Sequence, residues 1–331
     1  METLGLTELH THLGGSVAPH ILWSIAHDQG FKLPVRDYRQ FASLIASNAK
    51  GAGSLERYLK VLHSVTEKIQ SSPMAVERCV YEVISGEYRR NNVVNMELRF
   101  NPMKRNVRGE RDLDAIILAA IRGIERASTE YPVEARLIIC MAREFSQHHN
   151  NILLNKAIKY REHVVGIDLA GPESKAMTKP DYGFYYRAVA KARDHNIGST
   201  IHTGETVRYG LSDMRNIMKI VMPDRVGHGI MCVHDTELMD LVRDRGTILE
   251  LCPSSNISTG AVPDIQGFGE VLRTLVRHNI KVSINTDGTY ILNTGLQNEY
   301  NILVKAGIVG DDDVTQMIKR SAEYRFSHIY R

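Results

Sequence analysis

Cysteine is scarce in this 331-residue chain, and the four present, Cys79, Cys140, Cys232 and Cys252, form no C-x-x-C pair. That argues against a thiolate zinc site, so any metal must be held by His and carboxylate. The cysteines are expected to be small apolar fillers in a reducing compartment. No apolar run approaches the ~20 residues a membrane helix needs, and the N-terminus lacks a basic segment followed by an apolar stretch. The expected location is cytoplasmic, with no membrane partner. Charge of one sign is missing too: 41 Lys and Arg stand against 38 Asp and Glu, a formal +3. The one local basic cluster, Lys104 to Arg111, holds no aromatic residue on which bases stack. It reads as a solvated loop, and nucleic acid is not an expected partner. Linkers, repeats and low-complexity segments are absent as well, so one domain over residues 1–331 is expected.

What the chain does have is alternation. Short apolar runs bounded by Gly, Asn or Pro predict strands at Gly5 to His10, Val93 to Phe100, Ala135 to Met141, Val164 to Leu169, Gly198 to His202, Arg225 to Gly227, Thr247 to Leu251 and Lys281 to Asn285. Helical periodicity falls between them, at Met74 to Arg90, Asp112 to Ser128, Gln147 to Tyr160, Gly183 to Asn196, Leu211 to Ile220, Asp235 to Arg245 and Gly267 to Asn279. This pattern predicts an α/β chain folded as a (β/α)8 TIM barrel, with functional groups at the C-terminal ends of the strands. The long gap after the first strand predicts extra helices at Pro19 to Gln29 and Ser54 to Gln70, which could roof the barrel mouth.

The first strand ends in Glu8-Leu9-His10-Thr11-His12. Strand side chains alternate faces, so His10 and His12 share one side, roughly 7 Å apart along the backbone, a spacing that favours a metal pair. Partners stand at matching places: His202 closes the fifth strand, His228 follows the sixth, and Asp287 closes the eighth. Glu205 comes three residues after His202, past Gly204, which permits a tight turn that returns the carboxyl over the metal. A carboxyl in a dehydrated pocket has its pKa raised and can donate a proton at neutral pH.

The segments His10-Thr11-His12, Gly166-Ile167-Asp168-Leu169-Ala170-Gly171, His202-Thr203-Gly204-Glu205, Gly227-His228-Gly229, Leu251-Cys252-Pro253-Ser254-Ser255-Asn256 and Ser283-Ile284-Asn285-Thr286-Asp287 resemble, in order, the signatures of the adenosine deaminase family of metal-dependent amidohydrolases. The resemblance implies one Zn2+ per chain, held by His10, His12, His202 and Asp287 with water as a further ligand. It implies that His228 and Asp287 orient and deprotonate that water. Glu205 would protonate the purine ring nitrogen beside the carbon under attack, and the N–H of Gly171 would bond another ring nitrogen. Zinc lowers the pKa of a bound water to about 7, which makes a nucleophile available at neutral pH. Two-metal relatives carry a bridging Lys at the end of strand four; Val164 to Gly171 contains none, so one metal is expected. Ser54 to Gln70, with Leu55, Tyr58, Leu59 and Leu62 in helical spacing, resembles the helix that covers the nucleoside. Tyr58 and Leu62 are therefore candidate substrate contacts, and Trp23 a candidate pocket aromatic.

Two positions depart from the family's pattern. Gly14 stands where members carry an acid that contacts the ribose 5′-hydroxyl, and Gly288 stands where a second Asp holds the purine imidazole nitrogen. Lost hydrogen bonds change specificity by orders of magnitude. A larger pocket with less negative charge is thus expected, with adenosine not the best substrate and 5′-modified or N6-modified adenine nucleosides and nucleotides or aminodeoxyfutalosine as candidates. A phosphate-bearing substrate would want a cation, for which Lys175 and Arg143 stand near the mouth. Competing readings are an amidohydrolase acting on a pterin-like or guanine-like ring, and an inactive nucleoside-binding relative. The intact ligand set and Glu205 argue against the latter. Oligomeric state stays open.

Overall fold

The computed structural model describes residues 4–46, 62–106, 112–176 and 181–330. Its centre is an eight-stranded sheet in sequential order. The strands are β1 (Leu6–His12), β2 (Val93–Phe100), β3 (Glu134–Ala142), β4 (Val164–Ala170), β5 (Gly198–Thr203), β6 (Arg225–His228), β7 (Ile248–Leu251) and β8 (Val282–Ile284). Every neighbouring pair is parallel. A parallel bridge from Thr11 to Asp287 closes the ring. There the Asp287 N–H donates to the His10 carbonyl and the His12 N–H to the Asp287 carbonyl, both at 2.8 Å. This is the (β/α)8 barrel, with β1 running two residues past the sequence expectation so that both His10 and His12 lie within it.

Strand alternation sorts the side chains. In β2, Met96, Leu98 and Phe100 join the large apolar cluster between sheet and helices, while the intervening Glu97 and Arg99 are buried without joining it. β7 repeats the pattern with Leu249 and Leu251 flanking buried Glu250. The barrel lumen therefore carries buried charges, and Ile138, Val165 and Phe326 form a small apolar cluster separate from the large one.

Helix boundaries follow local chemistry. Ser72 accepts from the Ala75 N–H at 3.1 Å and precedes Pro73, which starts the helix Pro73–Asn91; Asn92, at φ 53°, ends it. Asp235 and Asp264 cap the helices Thr236–Arg245 and Ile265–Arg277 in the same way. Several helices lie outside the sequence expectations, among them Tyr38–Ala46, Pro253–Ser258, Leu296–Lys305 and Asp311–Glu323. The predicted helix at Leu211 to Ile220 is instead Gly210–Asn216 followed by a π-helical turn, Ile217–Val221.

Two expectations need correction. Most of Ser54 to Gln70, including Leu55, Tyr58 and Leu59, lies outside the described residues, and its remainder is a π-helical turn, Leu62–Thr66, followed by Glu67–Ile69. The basic cluster is not a solvated loop throughout: Pro102–Arg105 forms a 3-10 helix, and Arg105 is buried against Glu67 at 2.8 Å. A guanidinium taken out of water needs such a partner. Among the described residues no helix is long and apolar enough to cross a membrane, and all four cysteines are buried and free.

Candidate active site

β1, β5 and the turn after β8 bring His10, His12, His202 and Asp287 together, each offering one ligand atom, all within 4.8 Å of one another. The Nε2 atoms of His12 and His202 are 3.0 Å apart. Asp287 Oδ1 stands 3.6 Å from Nε2 of both His10 and His12. Ligand atoms sharing one zinc at about 2.0–2.1 Å stand roughly 3 to 3.5 Å apart at ordinary coordination angles, so the spacing fits one ion.

Hydrogen bonding on the far side of each ring decides what the near side presents. His10 Nδ1 lies 2.8 Å from Glu250 Oε2, and His202 Nδ1 lies 2.9 Å from Asp168 Oδ1. An ionised carboxylate only accepts, so each Nδ1 carries the proton and each Nε2 offers a lone pair. Buried His10 Nε2 has no hydrogen-bond partner. The lone pairs of His10 and His202 and a carboxylate oxygen converge beside His12 Nε2, the arrangement that a cation satisfies. Burial, with His202 beside it, holds His12 well below the usual imidazole range, and burial lowers His202 as well. Both therefore stay neutral, as ligands must be.

The carboxylates stay charged despite burial. Desolvation opposes ionisation of Glu250, yet the Arg99 and Arg225 guanidiniums hold it well below the carboxylate range. Burial also opposes ionisation of Asp168, but His202 and Arg99 keep it low. Asp168, Glu250 and Arg99 were given no role from sequence. The available signal was a charge inside otherwise apolar strands, since a buried charge must be paired.

His228 and Asp287 hold left-handed backbone conformations, at φ 63° and 64°, a region that His and Asp enter more readily than most side chains. His228 Nε2 lies 3.8 Å from Glu205 Oε2, and Asn256 contacts His228 Nδ1 at 3.1 Å. Burial keeps His228 well below the imidazole range. The turn to Glu205 passes through Gly204 at φ 70°, where a Cβ would sit 2.7 Å from Met214 Sδ, so only glycine fits. Glu173 then accepts the N–H groups of Glu205 at 3.0 Å and Thr206 at 2.8 Å, which fixes the turn.

Beside the metal donors, a cleft is lined by His12, Gly14, Leu62, Glu67, Lys104 and Gly171, among others. The enlargement expected at Gly14 is not found. A Cβ there would lie 3.0 Å from Leu62 Cδ1 and 3.4 Å from both Arg105 Nη2 and Glu67 Cγ, so these side chains fill the space. Glu67 stands beside it ionised: although burial opposes the charge, Arg105 and His63 bring its pKa down to about 2, and its ion pair with Arg105 leaves no net negative charge there. Gly288 lies outside this lining and is bonded within its own turn, its N–H reaching the Thr286 carbonyl at 2.7 Å. Trp23 packs against His27, Tyr38 and Phe41 and does not line the cleft. Arg143 is a structural cation, donating to the His202 carbonyl at 2.6 Å and paired with Asp213 at 2.8 Å. Lys175 is exposed, on a neighbouring surface recess with Glu144 and Phe145.

Comparison with known proteins bears on this arrangement. An adenosine deaminase of Clostridium perfringens (strain SM101 / Type A) is 30% identical over 325 residues, spanning 96% of this chain and 93% of its own length. The solved adenine deaminase of Arthrobacter aurescens superposes with a TM-score of 0.86 at 18% identity, over 98% of this chain and 94% of its own. An amidohydrolase of Burkhoderia ambifaria solved with bound Zn gives 0.83 at 20% identity, over 98% and 86%. The sequence model described as adenosine deaminase matches residues 5–329, which contain every metal donor named above, and the chain belongs to the adenosine deaminase family.

Proposed function

We propose that this protein is a zinc-dependent aminohydrolase, acting on the C–N bond of a cyclic amidine, that replaces the C6 amine of an adenine-type nucleoside or close analogue with hydroxyl and releases ammonia. The observation that carries the reading is the convergence of His10, His12, His202 and Asp287 beside the buried Glu205 and His228 pair. The curated Clostridium relative is an adenosine deaminase, the Arthrobacter structure an adenine deaminase, and the Burkholderia structure holds Zn. These support the substrate class and the metal. When bound, zinc supplies Lewis acidity and lowers the pKa of a water beside it to about 7.

The chain's own groups supply the rest. An aromatic C–NH2 is a poor electrophile. Glu205 protonates the ring nitrogen next to that carbon, so the ring accepts the incoming electron pair. His228 and Asp287 orient the attacking water, take up its proton and return it to the departing nitrogen, so the tetrahedral carbon breaks its C–N bond and releases ammonia; loss of the remaining hydroxyl proton restores the Glu205 acid. The N–H of Gly171 bonds a second ring nitrogen and sets the ring's orientation. Leu62 and Gly14, which line the cleft, are assigned to the substrate side, and Tyr58 is assigned there from the sequence alone. With Gly14 in place of an acid, the ribose 5′-hydroxyl loses a partner, and adenosine is not the best substrate. The free buried cysteines support a cytoplasmic setting.

The test is ammonia release by the zinc-loaded protein and by the same protein after chelation. The panel holds adenosine, 5′-deoxy and 5′-thio adenosines, N6-methyl-AMP, aminodeoxyfutalosine, guanine and pterins. Release from an adenine-type compound that disappears on chelation and returns with Zn2+ is expected. Turnover only of guanine or pterins, or turnover indifferent to chelation, would overturn the reading.

A further inference from the structure

The apolar floor of the barrel is tied to the metal-binding face by an unbroken line of buried charges. Phe326, from the C-terminal segment, enters the N-terminal ends of β4 and β5. A Cβ on Gly166 would lie 2.6 Å from its ring and one on Gly198 only 2.1 Å, so both strands are bare where the ring sits. The Arg225 guanidinium stacks on that ring at 3.6 Å from the centroid and donates to the Tyr324 carbonyl at 3.0 Å. Glu97 accepts the Phe326 N–H at 2.6 Å and pairs with Arg225 Nη2 at 2.6 Å. Arg225 Nε then meets Glu250 Oε1 at 2.7 Å, and the other oxygen of Glu250 meets His10 Nδ1 at 2.8 Å. A branch continues from Glu250 Oε2 through Arg99, at 2.9 Å, toward Asp168 at 3.4 Å and so to His202.

We propose that the Tyr324–Phe326 segment is a positioning element for the metal ligands, clamping Arg225 so that Glu250 presents one oxygen to His10 in a fixed direction. Phe326 fixes the face of the planar guanidinium and the Tyr324 carbonyl accepts from one edge, so the cation stands in one place between Glu97 and Glu250, with which it forms close ion pairs, and its charge holds the Glu250 carboxylate there. A buried ion network of this size is poor at adding stability compared with apolar packing of the same volume. Orientation is what it supplies: a histidine ligand whose far nitrogen is held by a fixed carboxylate keeps both its tautomer and its ring plane.

This inference rests on the metal reading above, and its test separates the two. Zn2+ affinity is measured by competition with a chromophoric chelator for the wild type, Phe326→Leu, Arg225→Lys and Phe268→Leu, each checked for folding by circular dichroism. Phe268 is fully buried in the large apolar cluster, whereas Phe326 belongs to the separate floor cluster. The expectation is that Phe326→Leu and Arg225→Lys bind Zn2+ about 10-fold or more weakly. Phe268→Leu should lower the melting temperature and keep the wild-type affinity. Folded Phe326→Leu with wild-type affinity would overturn the inference alone, as would an equal loss in Phe268→Leu. If Phe326→Leu does not fold, Arg225→Lys decides on the same criterion. A wild type that binds no Zn2+ would overturn the metal reading, and this inference with it.

Discussion

Ser255 Oγ donates a 2.7 Å hydrogen bond to Asp287 Oδ2, while Oδ1 of the same carboxylate faces His10 and His12 at 3.6 Å. One oxygen is tethered and the other is left for the metal. Ser255→Ala frees the carboxylate to rotate or chelate with both oxygens. A loss of about 10- to 100-fold in Zn2+ affinity or in kcat is expected, the usual effect of removing a group that orients a ligand. Metal competition and steady-state kinetics on the same preparation check it; an unchanged pair of values would mean that the backbone alone holds Asp287.

Glu205 is buried and reaches His228 at 3.8 Å, and it is not among the metal donors. Glu205→Gln keeps the shape and removes the proton that the ring nitrogen needs. The variant should bind one Zn2+ per chain by elemental analysis and lose about 10²- to 10⁴-fold in kcat. Wild-type turnover in the metal-loaded variant would remove the assigned acid.

Restoring the missing acid at Gly14 should fail as a single change. The Cβ of Gly14→Asp comes within 3.0 Å of Leu62 Cδ1, and overpacking of this kind costs about 1–3 kcal/mol. Chemical denaturation should show that loss without a gain in kcat/KM for adenosine. Adding Leu62→Ala gives the new side chain room, and adenosine turnover should rise relative to the single variant. A gain from Gly14→Asp alone would show that Leu62 yields freely.

Glu299 carries a pH dependence whose sign is fixed by its surroundings. Burial pushes its pKa from 4.5 up to about 7, against the hydrogen bonds it accepts from Ser254 and Thr294. With the folded value above the unfolded one, its contribution to stability is full below pH 4.5 and is lost as pH rises through 7. Glu299→Gln removes the titration. Between pH 5 and 8 the variant's melting temperature should therefore fall less than the wild type's, as scanning calorimetry would read; parallel curves would contradict the assignment.

Much of this molecule was readable from the chain itself, for identifiable reasons. Strands such as Val93–Phe100 and Val164–Ala170 announce themselves because apolar side chains must face the helices. The donors His10, His12, His202 and Asp287 stand at strand ends, where a barrel gathers its chemistry. The occupants of the space beside Gly14 were not readable, because Leu62, Glu67 and Arg105 arrive from distant segments and only packing brings them there. The helices Leu296–Lys305 and Asp311–Glu323 were missed for another reason: no later strand follows to mark their limits. Arg99 and Glu250 were visible as charges in apolar surroundings, but their shared partner was not, since β2 and β7 are not neighbours in the sheet.

Asp287 is both a metal donor and the residue whose backbone joins the last strand's exit to the first strand. During synthesis, therefore, the nascent polypeptide has neither a sealed cylinder nor a complete ligand set until that residue leaves the ribosome. Any product released earlier lacks both the closing bridge and one of the four donors at once.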